Sequence, residues 1–328
     1  MPFSEDRSAE RSRFMPSPAL GAVALAASFG AGALINDAAA RRAERAHPPT
    51  GRMIHVQGVR LHVFDSGRRS VDRPVILLLH GNGACFADWQ ASGLIDRLAA
   101  THRVIAPDRP GFGHSARPHN VEWTPEAEAD LFAALLEGLG VERAIVVGHS
   151  WAALIAAAFG LRHPAQASKI VLASGYYFPT ARADLAFFSA PALPVVGDML
   201  RHTVSPLVAR AIAKRIVRTI FAPRPVPERF WRLFPLEMCF RPSQIRASAE
   251  ESAMMVPAAR RLAAHYGEIG VPVEIVTGDD DRVCDPDRQS AELARAIPRS
   301  RLEVLPDVGH MIHYAPEAQT RLAEVIMR

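Results

Sequence analysis

Lysine is nearly missing from this chain of 328 residues: it stands only at Lys169 and Lys214, so the basic charge is almost all arginine. No basic run interleaved with aromatics occurs. The formal charge of +4 and the pI near 9.3 therefore read as compositional bias, and nucleic acid is not an expected partner. Cysteine is scarce too. Cys85, Cys239 and Cys284 are odd in number, far apart and without CxxC spacing, which argues against a disulfide framework and a structural zinc site. The body of the chain lacks internal repeats and low-complexity tracts. Apolar residues make up 49% and charged residues 22%, the proportions of a folded globular protein, so disorder, collagen and polytopic membrane folds are excluded.

Charge itself is absent from Phe14 to Asn36. At ~1.5 Å per residue that span is long enough to cross a ~30 Å hydrocarbon core, although much of it is Ala, Gly and Ser, with Leu20, Val23, Leu25, Phe29, Leu34 and Ile35 as its larger apolar groups. The preferred expectation is an uncleaved single-pass membrane anchor, and with it a membrane-bound location and the membrane as a partner. A signal peptide cleaved near Ala38-Ala39-Ala40 and a peripheral helix are the alternatives. Arg7, Arg11 and Arg13 on one side balance Arg41, Arg42 and Arg45 on the other, so the side of the membrane is not set. His47-Pro48-Pro49-Thr50-Gly51 reads as a stiff linker. Residues 1–51 are thus expected to be anchor and linker, and 52–328 the catalytic body.

Within that body, Met53–Val56 and Leu61–Phe64 flank Gln57-Gly58 as an opening hairpin. Val75–Leu79, Val104–Ala106, Ala144–Val147, Ile170–Leu172 and Val273–Val276 are apolar without polar alternation, the pattern of strands buried on both faces of a parallel sheet. Helical stretches lie between them: Pro125–Leu139, N-capped by Thr124 and stopped by Gly140, then Trp151–Leu161 and Asp287–Ala296. The alternation predicts an α/β class with a mostly parallel sheet flanked by helices. It breaks down from Tyr176 to about Gly267, a stretch rich in proline and aromatics with a helix over Val204–Phe221, which is expected to form an inserted helical cap.

The strongest chemical signal is Val147-Gly148-His149-Ser150-Trp151-Ala152, where a strand runs directly into a helix with a serine at the junction. Such a turn projects the hydroxyl out of the sheet and leaves the next N–H, that of Trp151, open at a helix start. Chain segments crowd there. Gly148 meets that demand, and Ala152 stands in place of the usual second glycine. A serine needs a base, and the base an orienting acid. Pro306-Asp307-Val308-Gly309-His310 supplies His310 as base, with His313 as a rival and His149 read as structural. Thr277-Gly278-Asp279-Asp280-Asp281 supplies the acid.

With these motifs the chain resembles the α/β-hydrolase superfamily, specifically its serine-nucleophile, esterase- and lipase-like members with an inserted cap. The resemblance spans about 52–328 and includes His80-Gly81-Asn82-Gly83, Asp108-Arg109-Pro110-Gly111-Phe112-Gly113-His114-Ser115, the turn at Ser150, Gly278-x-x-Asp281 and Gly309-His310, in that order. It implies that the acid is Asp281, three positions after the glycine, and that the Asn82 N–H joins the Trp151 N–H in an oxyanion hole. A variant with the acid after the sixth strand is ruled out, because Ala173-Ser174-Gly175 offers no carboxylate. His80, Asp108 and Ser115 are assigned to loop scaffolding.

The function expected is therefore a cofactor-free serine hydrolase, with no metal, cleaving an ester or related acyl bond of a small-molecule, apolar acyl substrate through an acyl-enzyme. Carbon–carbon bond hydrolysis and cofactor-free haloperoxidase or perhydrolase chemistry are the alternatives on the same triad, and a non-catalytic ligand-binding member of the fold is the rival from another class. Dehalogenation and epoxide opening would, by the same resemblance, use an aspartate where Ser150 stands. Tyr176, Tyr177, Phe178, Phe187, Phe188, Phe230, Trp231 and Phe234 are open to two readings, as an apolar substrate site or as the cap's own core. Oligomeric state is not legible.

Overall fold

The computed structural model describes residues 18–67, 73–180 and 184–328. Eight strands form one sheet in the order β1-β2-β4-β3-β5-β6-β7-β8. β1 (Arg52–Val56) and β2 (Val59–Asp65) are the opening antiparallel pair, and β2 runs antiparallel to β4 (Val104–Pro107). β3 (Val75–Leu79), β4, β5 (Ala144–His149), β6 (Ala167–Ala173), β7 (Val273–Gly278) and β8 (Ser300–Leu305) are mutually parallel. The helices are α1 (Pro18–Ala46), α2 (Ala87–Ser92), α3 (Leu94–Ala99), α4 (Pro125–Gly138), α5 (Trp151–Arg162), α6 (Asp184–Ser189), α7 (Val196–His202), α8 (Ser205–Phe221), α9 (Glu228–Leu233), α10 (Pro242–Ala263), α11 (Glu292–Ala296) and α12 (Pro316–Met327). Thr124 caps α4, its side chain accepting from the Ala127 N–H.

The apolar strands are buried because helices cover both faces. On one face Leu77, Val146, Ile170 and Ile275 pack with Phe132 and Leu135 of α4, Leu154 and Phe159 of α5 and Leu262 of α10. On the other, Ile76, Leu78, Val147 and Val171 pack with Leu94 and Leu98 of α3 and with Leu322, Val325 and Ile326 of α12. Each such side chain removed from water contributes about 1.5–3 kcal/mol. The strand order reverses at one place: from β3 the chain moves outward to β4, then returns past β3 to β5. β3 and β5 are therefore neighbours, with Leu79 paired to Gly148, and the segments leaving their carboxyl ends, His80–Ala84 and His149-Ser150, come side by side. Ligands of open α/β sheets bind in the crevice made at such a reversal.

α6 to α10 lie between β6 and β7. α8, α9 and the loops around them meet the sheet side through Val217, Phe221, Phe230 and Phe234, which pack on Cys85, Met311 and Tyr314. Of the aromatics with two readings, Tyr176, Tyr177, Phe230 and Phe234 are buried, whereas Phe187, Phe188 and Trp231 are exposed.

The N-terminal expectation is corrected. Among the described residues no helix is long and apolar enough to cross a membrane. The single-pass anchor over Phe14–Asn36 does not stand, nor do the membrane-bound location and membrane partner that rested on it. Phe14 to Ser17, and the flanking Arg7, Arg11 and Arg13, lie outside the described residues. Length sufficed, but Ala, Gly and Ser supply little of the transfer free energy that Leu, Ile, Phe and Val would. The C-terminal part of α1, from Asn36 on, instead docks on the protein. Asn36 is buried and its Nδ2 donates to the carbonyls of His202 (3.0 Å) and Thr203 (2.7 Å) at the end of α7. Ala43 is buried, and Glu44 pairs with Arg241 at 2.8 Å. Just past the helix, the His47 carbonyl accepts from His114 Nε2 at 2.8 Å.

Candidate active site

The turn from β5 into α5 sets Ser150 at φ 57°, ψ −123°, a backbone region that costs a non-glycine residue of order 1–3 kcal/mol and persists only where its surroundings enforce it. The reason for Gly148 is steric. A Cβ there would lie 2.1 Å from the Ala152 carbonyl oxygen. Ala152 itself is fully buried in α5, so the methyl in place of a second glycine is accommodated.

His310, on the segment after β8, directs Nε2 to Ser150 Oγ at 3.0 Å and Nδ1 to Asp281 Oδ2 at 2.9 Å. Asp281, after β7, is held by the backbone N–H groups of Val283 (2.8 Å) and Cys284 (2.9 Å), both donating to Oδ1. With the Nδ1–H donated to Asp281, the Nε2 lone pair faces the serine hydroxyl, the tautomer a general base requires. The two loops are seated closely, since a Cβ on Gly278 would meet the Val308 carbonyl oxygen at 2.0 Å, and the second also packs on the end of α8, where a Cβ on Gly309 would meet the Ala222 carbonyl oxygen at 1.9 Å. Asp279 and Asp280 are exposed, their backbone N–H groups bonded to the Leu305 and Val308 carbonyls.

The remaining histidines divide as their surroundings dictate. His313 points away from the serine, its Nε2 2.9 Å from Asp88 Oδ2. His149 is buried and its Nε2–H donates to the His310 carbonyl at 3.0 Å. Burial, with His313 and His310 nearby, pushes its pKa well below the ordinary value and keeps the ring neutral. His80 is pushed down to about 3 by burial and the Arg109 charge. Asp108 accepts from His62 Nδ1 (2.7 Å) and from the N–H groups of Phe86 and His114 (2.9 Å each). Against burial, which raises its pKa, the His62 bond holds it below the usual carboxylate value. The Ser115 hydroxyl donates to the Asp108 carbonyl.

Of the two expected oxyanion donors, Trp151 is the first residue of α5, and the opening N–H groups of a helix have no intrahelical partner. The loop carrying Asn82 runs against Ser150: a Cβ on Gly81 would sit 3.1 Å from Ser150 Cβ. The Asn82 side chain turns the other way, Nδ2 reaching the Ser248 carbonyl (3.2 Å) and Ser252 Oγ (3.4 Å) on α10. Among the described residues two trios, Asp88–His149–His313 and Asp281–Cys284–His310, bring potential metal-ligating atoms within 4.8 Å of one another. In each, a histidine–carboxylate hydrogen bond already engages the donors. Two open grooves away from this site, one of about 420 Å³ beside Arg117 and Glu250 and one of about 780 Å³ beside Lys214 and Arg218, contain none of these residues.

Sequence reading missed a buried ionic cluster under the site. Arg109, Glu128 of α4 and Glu251 of α10 are all 0% exposed, with Arg109 Nη1 3.2 Å from Glu128 and 2.5 Å from Glu251. Arg109 stood in a noted motif, but its partners are far away in sequence, and the only signal was a glutamate in the apolar register of each helix. Burial pushes the Glu128 carboxyl up to about 7, against the pull of Arg109 and with the Glu251 charge adding to the rise. A folded-state value above that of an exposed glutamate means that the stability contributed by protonated Glu128 is complete below about pH 4.5 and lost as pH rises through about 7. The thermal midpoint should therefore fall between about pH 5 and pH 8, and Glu128→Gln should flatten that fall by roughly 2–6 °C. Calorimetry across the range checks this; an equal slope in the variant would show that Glu128 is not the group responsible.

The chain resembles known proteins over most of its length. The chain is 29% identical over 275 residues, 80% of its length and 88% of the relative's, to 2-hydroxymuconate semialdehyde hydrolase of Pseudomonas sp. strain CF600. It is 29% identical over 274 residues, 80% of its length and 90% of the relative's, to 2-hydroxy-6-oxo-2,4-heptadienoate hydrolase of Pseudomonas putida. In three dimensions it matches the enol-lactonase of Burkholderia xenovorans LB400 with a TM-score of 0.67 at 22% identity, over 84% of this chain and 98% of that one. The family described as alpha/beta hydrolase fold matches residues 74–315. The chain belongs to that family, and it is a hydrolase of the alpha/beta fold.

Proposed function

We propose that the chain hydrolyses an acyl bond by nucleophilic catalysis, with Ser150 as nucleophile, His310 as general base and acid, and Asp281 as the group that orients the imidazole. One observation carries this reading: His310 bridges Ser150 Oγ at 3.0 Å and Asp281 Oδ2 at 2.9 Å in one unbroken relay. Ser150 Oγ attacks the substrate carbonyl carbon while His310 Nε2 takes its proton. The oxyanion that forms accepts from the N–H groups of Asn82 and Trp151. Collapse of this intermediate expels the leaving group, to which His310 returns the proton. Water, deprotonated by the same nitrogen, then releases the acid and restores Ser150. The segment 176–267 is proposed to act as a cap that selects the substrate.

The leading substrate class is an ester or lactone of a small apolar acid. The second is the carbon–carbon bond next to a carbonyl, favoured by the likeness over 80% of the chain to the two Pseudomonas hydrolases. Both share the serine attack and differ in the leaving group, which is an alkoxide in one and a carbanion or enol in the other. Purified protein would be assayed against p-nitrophenyl acetate and butyrate, an aryl lactone and 2-hydroxymuconate semialdehyde, with parallel labelling by a fluorophosphonate probe. Labelling at Ser150 with faster turnover of the esters or lactone supports the first class. Faster loss of the dienoate absorbance selects the second, and a chain that is neither labelled nor active is not a serine hydrolase.

A further inference from the structure

The peptide unit expected to supply the oxyanion N–H is Gly81–Asn82. In a trans peptide the carbonyl and the N–H point in opposite directions, so whatever holds the Gly81 carbonyl also aims the Asn82 N–H. Three donors hold that carbonyl. Arg109 Nη2 lies 3.2 Å from it, His80 Nδ1 2.9 Å and the Ala84 backbone nitrogen 3.4 Å. The His80 tautomer follows from its other nitrogen, since Nε2 accepts the Arg109 backbone N–H at 3.0 Å and the proton must then sit on Nδ1. Arg109 Nε donates to the preceding carbonyl as well, that of His80, at 2.7 Å. Two consecutive carbonyls of the loop are thus turned toward one guanidinium and away from the crevice.

That guanidinium is fixed in turn. Glu251 grips it with both oxygens, at 2.5 Å to Nη1 and 3.0 Å to Nη2, and Glu128 takes the rest of Nη1 at 3.2 Å. All five N–H donors of Arg109 are engaged, which only a planar fork can achieve; a lysine has three donors around a point. The Phe112 ring lies 4.7 Å from the guanidinium carbon. Rotating the Gly81–Asn82 peptide would strip a buried charged donor of its acceptor and turn a carbonyl into the place of the expected oxyanion donor, both of which are costly. Glu251 belongs to α10, and so do Ser248 and Ser252, which hold the Asn82 side chain. One face of this helix therefore reaches the loop by two routes, directly through the Asn82 side chain and indirectly through Arg109.

We propose that Arg109 is a positioning residue of the reaction: it locks the Gly81–Asn82 peptide so that the Asn82 N–H faces the oxygen that becomes negative, and Glu251 of α10 keeps Arg109 in place. Seating of α10 and formation of the oxyanion hole are then one event. The proposal rests on the serine-hydrolase reading above.

The test uses the full chain, p-nitrophenyl butyrate as substrate, a trifluoromethyl ketone as a ligand that becomes tetrahedral on Ser150, and butyrate as a ground-state ligand. Arg109→Lys should lower kcat about 100-fold, the scale of losing one oxyanion donor, with KM and butyrate affinity changed less than roughly threefold and ketone affinity weakened in step with kcat/KM. Glu251→Gln, which keeps shape and loses charge, should lower kcat about tenfold with the same split. A folded Arg109→Lys variant with kcat and ketone affinity within about threefold of wild type would overturn the proposal. If that variant does not fold, Glu251→Gln decides by the same criterion at about twofold. Wild-type protein that neither turns over the ester nor binds the ketone at Ser150 would instead bring down the serine-hydrolase reading, and this proposal with it.

Discussion

Ser150→Ala and His310→Ala are each expected to lower ester turnover by about 10⁶ in kcat while leaving the thermal midpoint within roughly 3 °C of wild type. The two losses should be equal and should not add in the double variant, because the serine hydroxyl without its base, and the base without its hydroxyl, both leave only what oxyanion donors and binding supply. Ser150 is held by a turn whose shape depends on Gly148 and on the pairing of its own N–H with the Ala173 carbonyl at 2.9 Å, neither of which involves the hydroxyl. The fold therefore has no need of Oγ. Stopped-flow and end-point assays on purified variants check the rates, and fluorophosphonate labelling provides an independent readout that should vanish in Ser150→Ala. Either single variant keeping more than about a thousandth of wild-type kcat would refute these roles.

Asp281→Asn should cost about 10⁴ in kcat with little change in KM. The backbone N–H groups of Val283 and Cys284 hold Oδ1 and would hold the amide oxygen of asparagine in the same place. The NH₂ group would then face His310 Nδ1 and donate to it. That forces the ring proton onto Nε2, where it points at Ser150 and blocks proton removal. A rise in activity at high pH, as the imidazole is bypassed, should accompany the loss. Asp279→Asn and Asp280→Asn alter exposed carboxylates that make no bond to His310 and should stay within roughly twofold of wild type. If Asp280→Asn were the crippling change, the assignment of the acid would fail.

Much of the fold was legible because its causes are local. Val75–Leu79 and Ala144–Val147 announce doubly buried strands by having no polar alternation, Thr124 marks the start of α4, and the crowding around Gly148 is written in the residues on either side of Ser150. The distances within the Ser150–His310–Asp281 group were not legible, though its members were, since motif order carries a topology but no ångströms. The N-terminal expectation failed for a different reason. An uncharged stretch records that burial is permitted, but its Ala, Gly and Ser supply too little apolar surface for a membrane span, and only the packing past Asn36, with Asn36 donating to the end of α7 and Glu44 paired to Arg241, shows where that part of α1 docks. Likewise the aromatics of the 176–267 segment divided into buried Tyr177 and Phe230 and exposed Phe187 and Trp231 without any difference in kind. Composition and periodicity determined that this chain makes a parallel sheet with a serine at a sharp turn. The joining of Arg109, Glu128, Glu251 and the Gly81–Asn82 peptide was decided only in three dimensions, because a buried charge selects its partners by distance and geometry after the chain has closed, and positions so far apart leave no shared pattern in the sequence.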